Sequence, residues 1–470
     1  MPATTSETPT TPPLSAIYAR RIYSHVLYVV APAGVAAAIT LTRTDDDLAS
    51  AALMLAAVAA TAMILRIQQF PLHLVPLARF LANVIVPVAG VVVAWLAALL
   101  GGSTLTVHTA VAAAIGAVLI SLLAMWLEDR FLFDRPIRIG VIGPGIFTQR
   151  LAAELAENGV RSYEVVGYVD EQDDRHAAVP WLGELSNVRA AVQNTGIDLL
   201  VVGPQERRLE VFEKTAKACL DLPVRMIEAT ALYEDVLGHV PIGAINSAWF
   251  QFIMHPRFSP SSPLTKRLLD IIVSGTLVLL ASPLLVLSAI AVKLDGGPIF
   301  YRQRRVGEEG RAFDMIKFRT LVADADKQFA AGRPEEELIT RAGRVLRKGH
   351  FNELPQLLQV LRGDISLVGP RPEPPDLVED LSGIVPHYER RALVKPGLTG
   401  WAQVRCGYAG SHAGTAWKTC HDLYYIKHRS ARFDLLICLQ TLPALIERAQ
   451  EEDLPAPDFI LGETGDFVPR

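Results

Sequence analysis

"PLTKRLLDIIVSGTLVLLASPLLVLSAIAVKL", Pro263 to Leu294, decides how the second half of this chain is built. Its apolar run of about 22 residues is long enough for a helix that crosses a bilayer. Two features argue against a crossing. Both flanks are cationic, Lys266 and Arg267 before the run and Lys293, Arg302, Arg304 and Arg305 after it, so neither end reads as an outward-facing loop. Ser282-Pro283 also sits mid-run, where Pro removes a backbone donor and kinks a helix. A helix over about 268–294 that enters the membrane, breaks at Ser282 and Pro283 and returns to the same face satisfies both.

Upstream, the pattern is plainer. Residues 1–19 are rich in Thr, Ser and Pro and are expected to be a disordered tail. Apolar runs near 25–42, 48–66, 79–100 and 107–127 predict a four-helix transmembrane bundle over 20–130. Stretches such as "VIVPVAGVVVAWLAALL" have no polar face, which excludes a soluble bundle. Arg20 and Arg21 precede the first run, Arg66 and Arg79 flank the second loop, and Arg130, Arg135 and Arg138 follow the fourth run. The first loop carries Asp45, Asp46 and Asp47 and the third is uncharged, so both ends of the bundle are expected in the cytoplasm.

Residues 137–250 alternate short β-branched strands with helical segments, "IRIGVIGPGIF", "YEVVGYVDE" and "GIDLLVVGP" among them. That order predicts a parallel α/β sheet of Rossmann-like type. The turn Gly143-Pro-Gly145 lacks the third glycine of a dinucleotide fingerprint, while Asp170 closes a later strand where a ribose-binding acid could sit. A structural role and a bound nucleotide or dinucleotide both stay open there.

Over 470 residues, half are hydrophobic and the mean hydropathy is +0.28, too apolar for an ordinary soluble protein. The net charge of −4 gives no pull towards nucleic acid. Four scattered cysteines without a C-x-x-C pair exclude a zinc or disulfide framework.

After the apolar run, 263–470 gathers charge around phosphate-like chemistry. Lys317 and Arg319 in "KFRT" share a side of the chain if it is extended. Arg341, Arg344 and Arg347 recur every three residues, on one helical face, and Glu353 follows. Arg371 is flanked by Pro370 and Pro372, which limit its backbone freedom. Clustered cations beside one acid suit a diphosphate and a hard metal ion.

The stretches "KRLLDIIVS", "ASPLL", "GPIFYRQRRVG", "FDMIKFRTL", "TRAGRVLRKGHFNELPQLLQVLRGDISLVGPRPE" and "VKPGLTGWAQV" stand in one order over about 200 residues. In them the chain resembles the bacterial sugar transferases, the monotopic polyprenyl-phosphate hexose-1-phosphate transferases. The bundle and Rossmann-like region match the long-form members. The resemblance implies a mainly helical α/β transferase domain on a re-entrant helix, at the bacterial inner membrane, with the soluble domains cytoplasmic. It implies transfer of a sugar 1-phosphate from a UDP-sugar to undecaprenyl phosphate with Mg²⁺, at the start of exopolysaccharide or O-antigen assembly. The partners are then those two substrates and the lipid bilayer, with a homo-oligomer left open.

Carried over residue by residue, Arg347 and Arg371 are implied as phosphate and nucleotide clamps, and Lys317 and Arg319 as their partners across the site. Arg304 and Asp422 are implied as substrate-binding, and Glu353 as the acid that binds Mg²⁺. The residue before that acid is, in the family, a nucleophilic Asp; here it is Asn352. An amide is a poor nucleophile and a poor ligand for a hard metal. Phe351, Gln359 and Ile365 also depart from the family pattern. Four readings follow. Glu353 attacks, with Asp364 or Asp422 holding the metal; transfer is direct; the chain is a silenced scaffold; or Asn352 is an engineered change. Nucleotide-sugar dehydratases share the upstream layout but need a second Gly-rich turn and a Tyr-x-x-x-Lys pair, and 263–470 has neither.

Overall fold

The computed structural model describes residues 26–446, apart from 45–47, 66–75, 102–104, 128–129, 131–135, 175, 204–207, 243–244, 246–248, 251–262, 323, 326–327, 329–331 and 407–411. The expected tail at 1–19 lies outside the described residues, as do Arg20, Arg21, Arg66 and Arg135. The chain divides into two compact units, Met1–Leu237 and Gly238–Arg470.

In the first unit, α1 (Ala31–Arg43), α2 (Leu48–Leu65), α3 (Pro76–Leu100) and α4 (Val107–Leu127) pack together. Their shared core is built from small residues, Ala33, Ala36, Ala94, Ala113 and Ala117, around Met54 and Val58. Large apolar side chains such as Leu55, Val92, Leu96, Ile115 and Leu119 point outward. Small inside and large outside is the pattern of helices that meet closely in lipid. By length and composition α3 and α4 can cross a membrane, whereas α1 and α2 are shorter apolar helices.

The same unit holds β1 (Ile137–Ile142), α5 (Gly145–Glu157), β2 (Tyr163–Val169), α6 (Val188–Thr195), β3 (Leu199–Val202), α7 (Arg208–Ala218) and β4 (Arg225–Glu228). The strands form a parallel sheet in the order β2-β1-β3-β4. Gly145 is tightly packed on the side where a Cβ would project. A Cβ on Gly145 would lie 2.8 Å from the Tyr168 ring and 2.7 Å from Ala177. The Tyr168 hydroxyl is fixed, donating to Asp173 at 3.0 Å and accepting from the Asp174 N–H at 2.7 Å.

The second unit is built on α8 (Pro263–Leu294), the quoted stretch. It is one helix of 32 residues with Pro283 inside it, a contour of about 48 Å at 1.5 Å per residue. Helical structure continues through Ser282 and Pro283 with no non-helical residue between, and Pro283 is the point at which such a helix bends. The reason is local. Pro283 has no N–H to give the Leu279 carbonyl, and the Ser282 hydroxyl donates to that carbonyl instead, at 2.8 Å.

Both ends of α8 are tied to the same unit. At its start, Lys266 donates to Asp434 at 2.7 Å and to the Val368 carbonyl at 3.0 Å. Arg267 bonds the carbonyls of Val360 and Leu361. Buried Asp270 accepts from Ser366 Oγ and the Leu367 N–H. At its end, Val292 packs with Phe318 and Leu346, and the Asp295 carboxylate accepts from the Ala342 N–H at 2.9 Å. Between the ends, Leu279, Leu280, Val286 and Leu287 are exposed.

Beyond α8 follow an antiparallel hairpin of β5 (Phe300–Val306) and β6 (Ala312–Phe318), then α9 (Arg341–Lys348) and α10 (Gln356–Arg362). A parallel pair of β7 (Ser366–Val368) and β8 (Gly397–Thr399) flanks α11 (Pro375–Ser382). The described chain closes with α12 (Trp401–Cys406), α13 (His412–His428) and α14 (Ala431–Ile446).

Candidate functional site

Three elements deliver the charges of the site. In the hairpin, Tyr301 lies opposite Lys317 and Arg305 opposite Phe313, so strand alternation puts Arg305 on the face of Lys317. Glu353 closes a one-turn helix, Phe351–Glu353, entered through His350 at a left-handed φ of 56°. Arg371 comes from the Gly-Pro-Arg-Pro loop after β7.

The turn and the hairpin are locked together by Gln359. Its side-chain oxygen accepts the Ile316 N–H and its amide nitrogen donates to the Asp314 carbonyl, both at 2.8 Å. The Gly-Pro-Arg-Pro loop is held more fully, through three successive carbonyls. Pro370 accepts from the Gly397 N–H at 2.9 Å, Arg371 from Arg391 Nη2 at 3.2 Å and Pro372 from Arg305 Nη1 at 3.1 Å. Gly397 is required there, because a Cβ on it would lie 2.0 Å from the Gly369 nitrogen.

At the centre, one oxygen of Glu353, Oε1, receives Lys317 Nζ at 2.9 Å and Arg371 Nη2 at 3.4 Å. Burial alone would raise the Glu353 carboxyl, but Arg371 and Lys317 outweigh it and hold it below the usual carboxylate range. Burial pulls the Lys317 ammonium down, against the opposing pull of Glu353. Arg305 adds to the positive field on both Lys317 and Arg371, and pairs with Glu373 at 3.2 Å. The Asn352 carboxamide, beside Glu353, makes no side-chain hydrogen bond among the described residues.

The structure thus brings Lys317, Glu353 and Arg371 together, with Asn352 adjacent. Other expected members sit elsewhere. Strand β6 ends at Phe318, so alternation does not carry Arg319 to the side of Lys317. Arg319 is buried and bonds the Val292 and Gly296 carbonyls at the end of α8. Arg347 spans Thr320 at 2.9 Å and Glu335 at 2.5 Å. A three-residue step falls about 60° short of a full turn, so Arg347 lies about 120° from Arg341 on the helix; Arg341 and Arg344 are both exposed. Arg304 faces away from Lys317 and pairs with exposed Asp314 at 3.4 Å. The Asp422 side chain, 1% exposed, is taken up by Arg391 at 2.7 Å, and Asp364 pairs with Arg362. Neither stands beside Glu353 as a second acid.

Sequence reasoning did not single out Arg305, Glu373, Tyr388 or Arg391 as site-forming. The signal for Arg305 was its even spacing from Tyr301, which has meaning only once the hairpin register is known.

Among the described residues no group of three or more His, Cys, Asp or Glu side chains could hold a metal. Mg²⁺ often takes only one or two carboxylates and completes its shell with substrate phosphates and water. Glu353 fits that need, since both its cationic contacts fall on Oε1.

Residues 261–448 match the family model described as bacterial sugar transferase. The chain is 39% identical over 237 residues to the UDP-N-acetylgalactosamine-undecaprenyl-phosphate N-acetylgalactosaminephosphotransferase of Aeromonas hydrophila, covering 50% of this chain and 55% of that protein. It is 41% identical over 191 residues to the UDP-glucose:undecaprenyl-phosphate glucose-1-phosphate transferase of Caulobacter vibrioides, covering 39% of this chain and 70% of the relative. A protein of the same description in Escherichia coli is 28% identical over 325 residues, 68% of this chain and 69% of the other.

Proposed function

This chain belongs to the bacterial sugar transferase family, and on that premise we propose that it transfers a sugar 1-phosphate from a UDP-sugar to undecaprenyl phosphate. The observation that carries the reading is the shared grip of Lys317 and Arg371 on Glu353. Two cations turned towards one anion suit a diphosphate, whose oxygens would take over part of that pairing.

Direct transfer fits the geometry best. A phosphate oxygen of undecaprenyl phosphate attacks the phosphorus that bears the sugar, the bond to the bridging oxygen breaks, and UMP leaves with that oxygen. Asn352 supplies no anionic oxygen for attack. Glu353 is a weak candidate nucleophile, because Arg371 and Lys317 outweigh its burial and hold its carboxyl below the usual carboxylate range, and a less basic carboxylate attacks less readily. Mg²⁺, when bound, would neutralise diphosphate charge, with Glu353 as its protein ligand. Lys317 and Arg371 orient the diphosphate, and Arg305 deepens the positive field behind them.

A monotopic placement on the inner membrane face accompanies this reading. Lys266, Arg267 and Asp270 at one end of α8, and Val292 and Asp295 at the other, join one unit. That favours an apolar helix whose two ends share a membrane face. A nucleotide on the Gly143–Gly145 turn is not part of the proposal; Tyr168 and Ala177 pack against Gly145 on the side a Cβ would occupy.

The test is UMP release by the full-length protein in lipid. UMP should appear only when both UDP-sugar and undecaprenyl phosphate are present. Release from UDP-sugar alone, with a sugar phosphate left on the protein, would replace direct transfer by a covalent route. No release from any UDP-sugar would leave the chain as a silenced scaffold.

A further inference from the structure

The guanidinium of Arg391 is buried and has three different partners. Its Nε donates to Asp422 Oδ2 at 2.7 Å, its Nη1 to the Tyr388 hydroxyl at 2.7 Å, and its Nη2 to the Arg371 carbonyl at 3.2 Å. Two of these fix the guanidinium; the third reaches the backbone of the residue that meets Glu353.

A buried Arg–Asp pair can be a purely structural feature, and such pairs often add little to stability. The direction of the third arm argues for more. The carbonyls on either side, Pro370 and Pro372, are bonded to Gly397 and Arg305. Without the Arg391 bond, the Arg371 carbonyl would be the one of the three without a partner, and only the flanking prolines would restrain the backbone that carries the Arg371 side chain. The helix that carries Asp422 is itself fastened from upstream. Val240 N–H donates to the Cys420 carbonyl at 3.1 Å, and the His239 ring meets Trp417 and His421.

We propose that Arg391, anchored on Asp422 and Tyr388, is a positioning residue that aims the Arg371 guanidinium at the diphosphate by holding the Arg371 carbonyl. This rests on the transfer reaction above. A guanidinium suits the task because its rigid fork serves three acceptors in separate directions, whereas one ammonium cannot reach all three with the same geometry.

The experiment is a double-mutant cycle on the full-length protein in lipid, with Arg391→Lys and Arg371→Ala alone and combined. It is read both as the rate of UMP release and as affinity for UDP. Arg391→Lys keeps the charge beside Asp422 and should still slow the reaction about thirtyfold, the scale of a misplaced catalytic group. In the Arg371→Ala background it should cost nothing further. Tyr388→Phe, which keeps the ring and removes one acceptor, should follow the same non-additive pattern with a smaller loss, and covers the case where Arg391→Lys does not fold. Losses that multiply in both readouts would make Arg391 merely structural and overturn the inference. If the unaltered protein releases no UMP, the transfer reading falls, and the cycle in UDP affinity still decides the role of Arg391.

Discussion

The Arg371 loop and the Asn352–Glu353 turn face each other across the site and are built in opposite ways. Every carbonyl from Pro370 to Pro372 has a partner, and the loop lies on a crossing too tight for a Cβ on Gly397. The turn is a single 3-10 turn entered through a left-handed histidine, and its Asn352 amide is uncommitted among the described residues. The loop holds the Arg371 backbone at three successive carbonyls. The turn has room to change its chemistry, and it holds Asn352 and Phe351, two of the four expected departures from the family pattern.

The largest effect should come from the residue that joins the two. Glu353→Gln removes the anion that both cations hold, and the rate of UMP release should fall about a thousandfold or more. A loss below tenfold would show that loop and turn do not act as one site. Arg371→Ala should cost about a hundredfold, with normal membrane insertion as the control.

The same change should move the pH profile. Arg371 and Lys317 depress the Glu353 carboxyl, so activity that needs the carboxylate persists to lower pH than for an ordinary Glu. Removing Arg371 raises that carboxyl, so the acid limb of the pH–rate profile should shift upward. An unmoved limb would separate Glu353 ionisation from the rate.

Asn352→Asp probes the adaptable side. If the turn has been rebuilt around the amide, a second carboxylate beside Glu353 should leave the rate unchanged or lower it, by about tenfold at most. A large gain, with UMP released from UDP-sugar alone, would restore a covalent route. Arg347→Ala should cost about threefold, through loss of its contacts to Thr320 and Glu335. Arg344→Ala, on an exposed face, should stay within about twofold.

These contrasts also mark what the sequence could reveal. The apolar runs, the strand–helix alternation and the meeting of Lys317, Glu353 and Arg371 follow from residue order, because each rests on a local pattern or on a motif. Arg319 and Arg304 depended on where a strand ends and which edge faces inward, a one-residue matter that flips a side chain. Arg341, Arg344 and Arg347 were set on one face by treating a three-residue step as a whole helical turn, whereas six residues turn Arg347 about 120° away from Arg341. Asp422 looked like a free acid because its partner Arg391 is 31 positions away. The hydroxyl of Ser282 takes up the Leu279 carbonyl that Pro283 cannot serve, a bond the residue order alone does not announce.

The bonds at the start of α8 carry a consequence for biosynthesis. Lys266, Arg267 and Asp270 find their partners at Val360, Leu361, Ser366, Leu367, Val368 and Asp434, between 93 and 168 residues later in the chain. The ribosome therefore delivers the apolar helix well before anything exists to neutralise its charged end. During that interval water, lipid headgroups and the Lys266–Asp270 pair at i,i+4 spacing are what these charges have, which favours the start of the helix at the water surface.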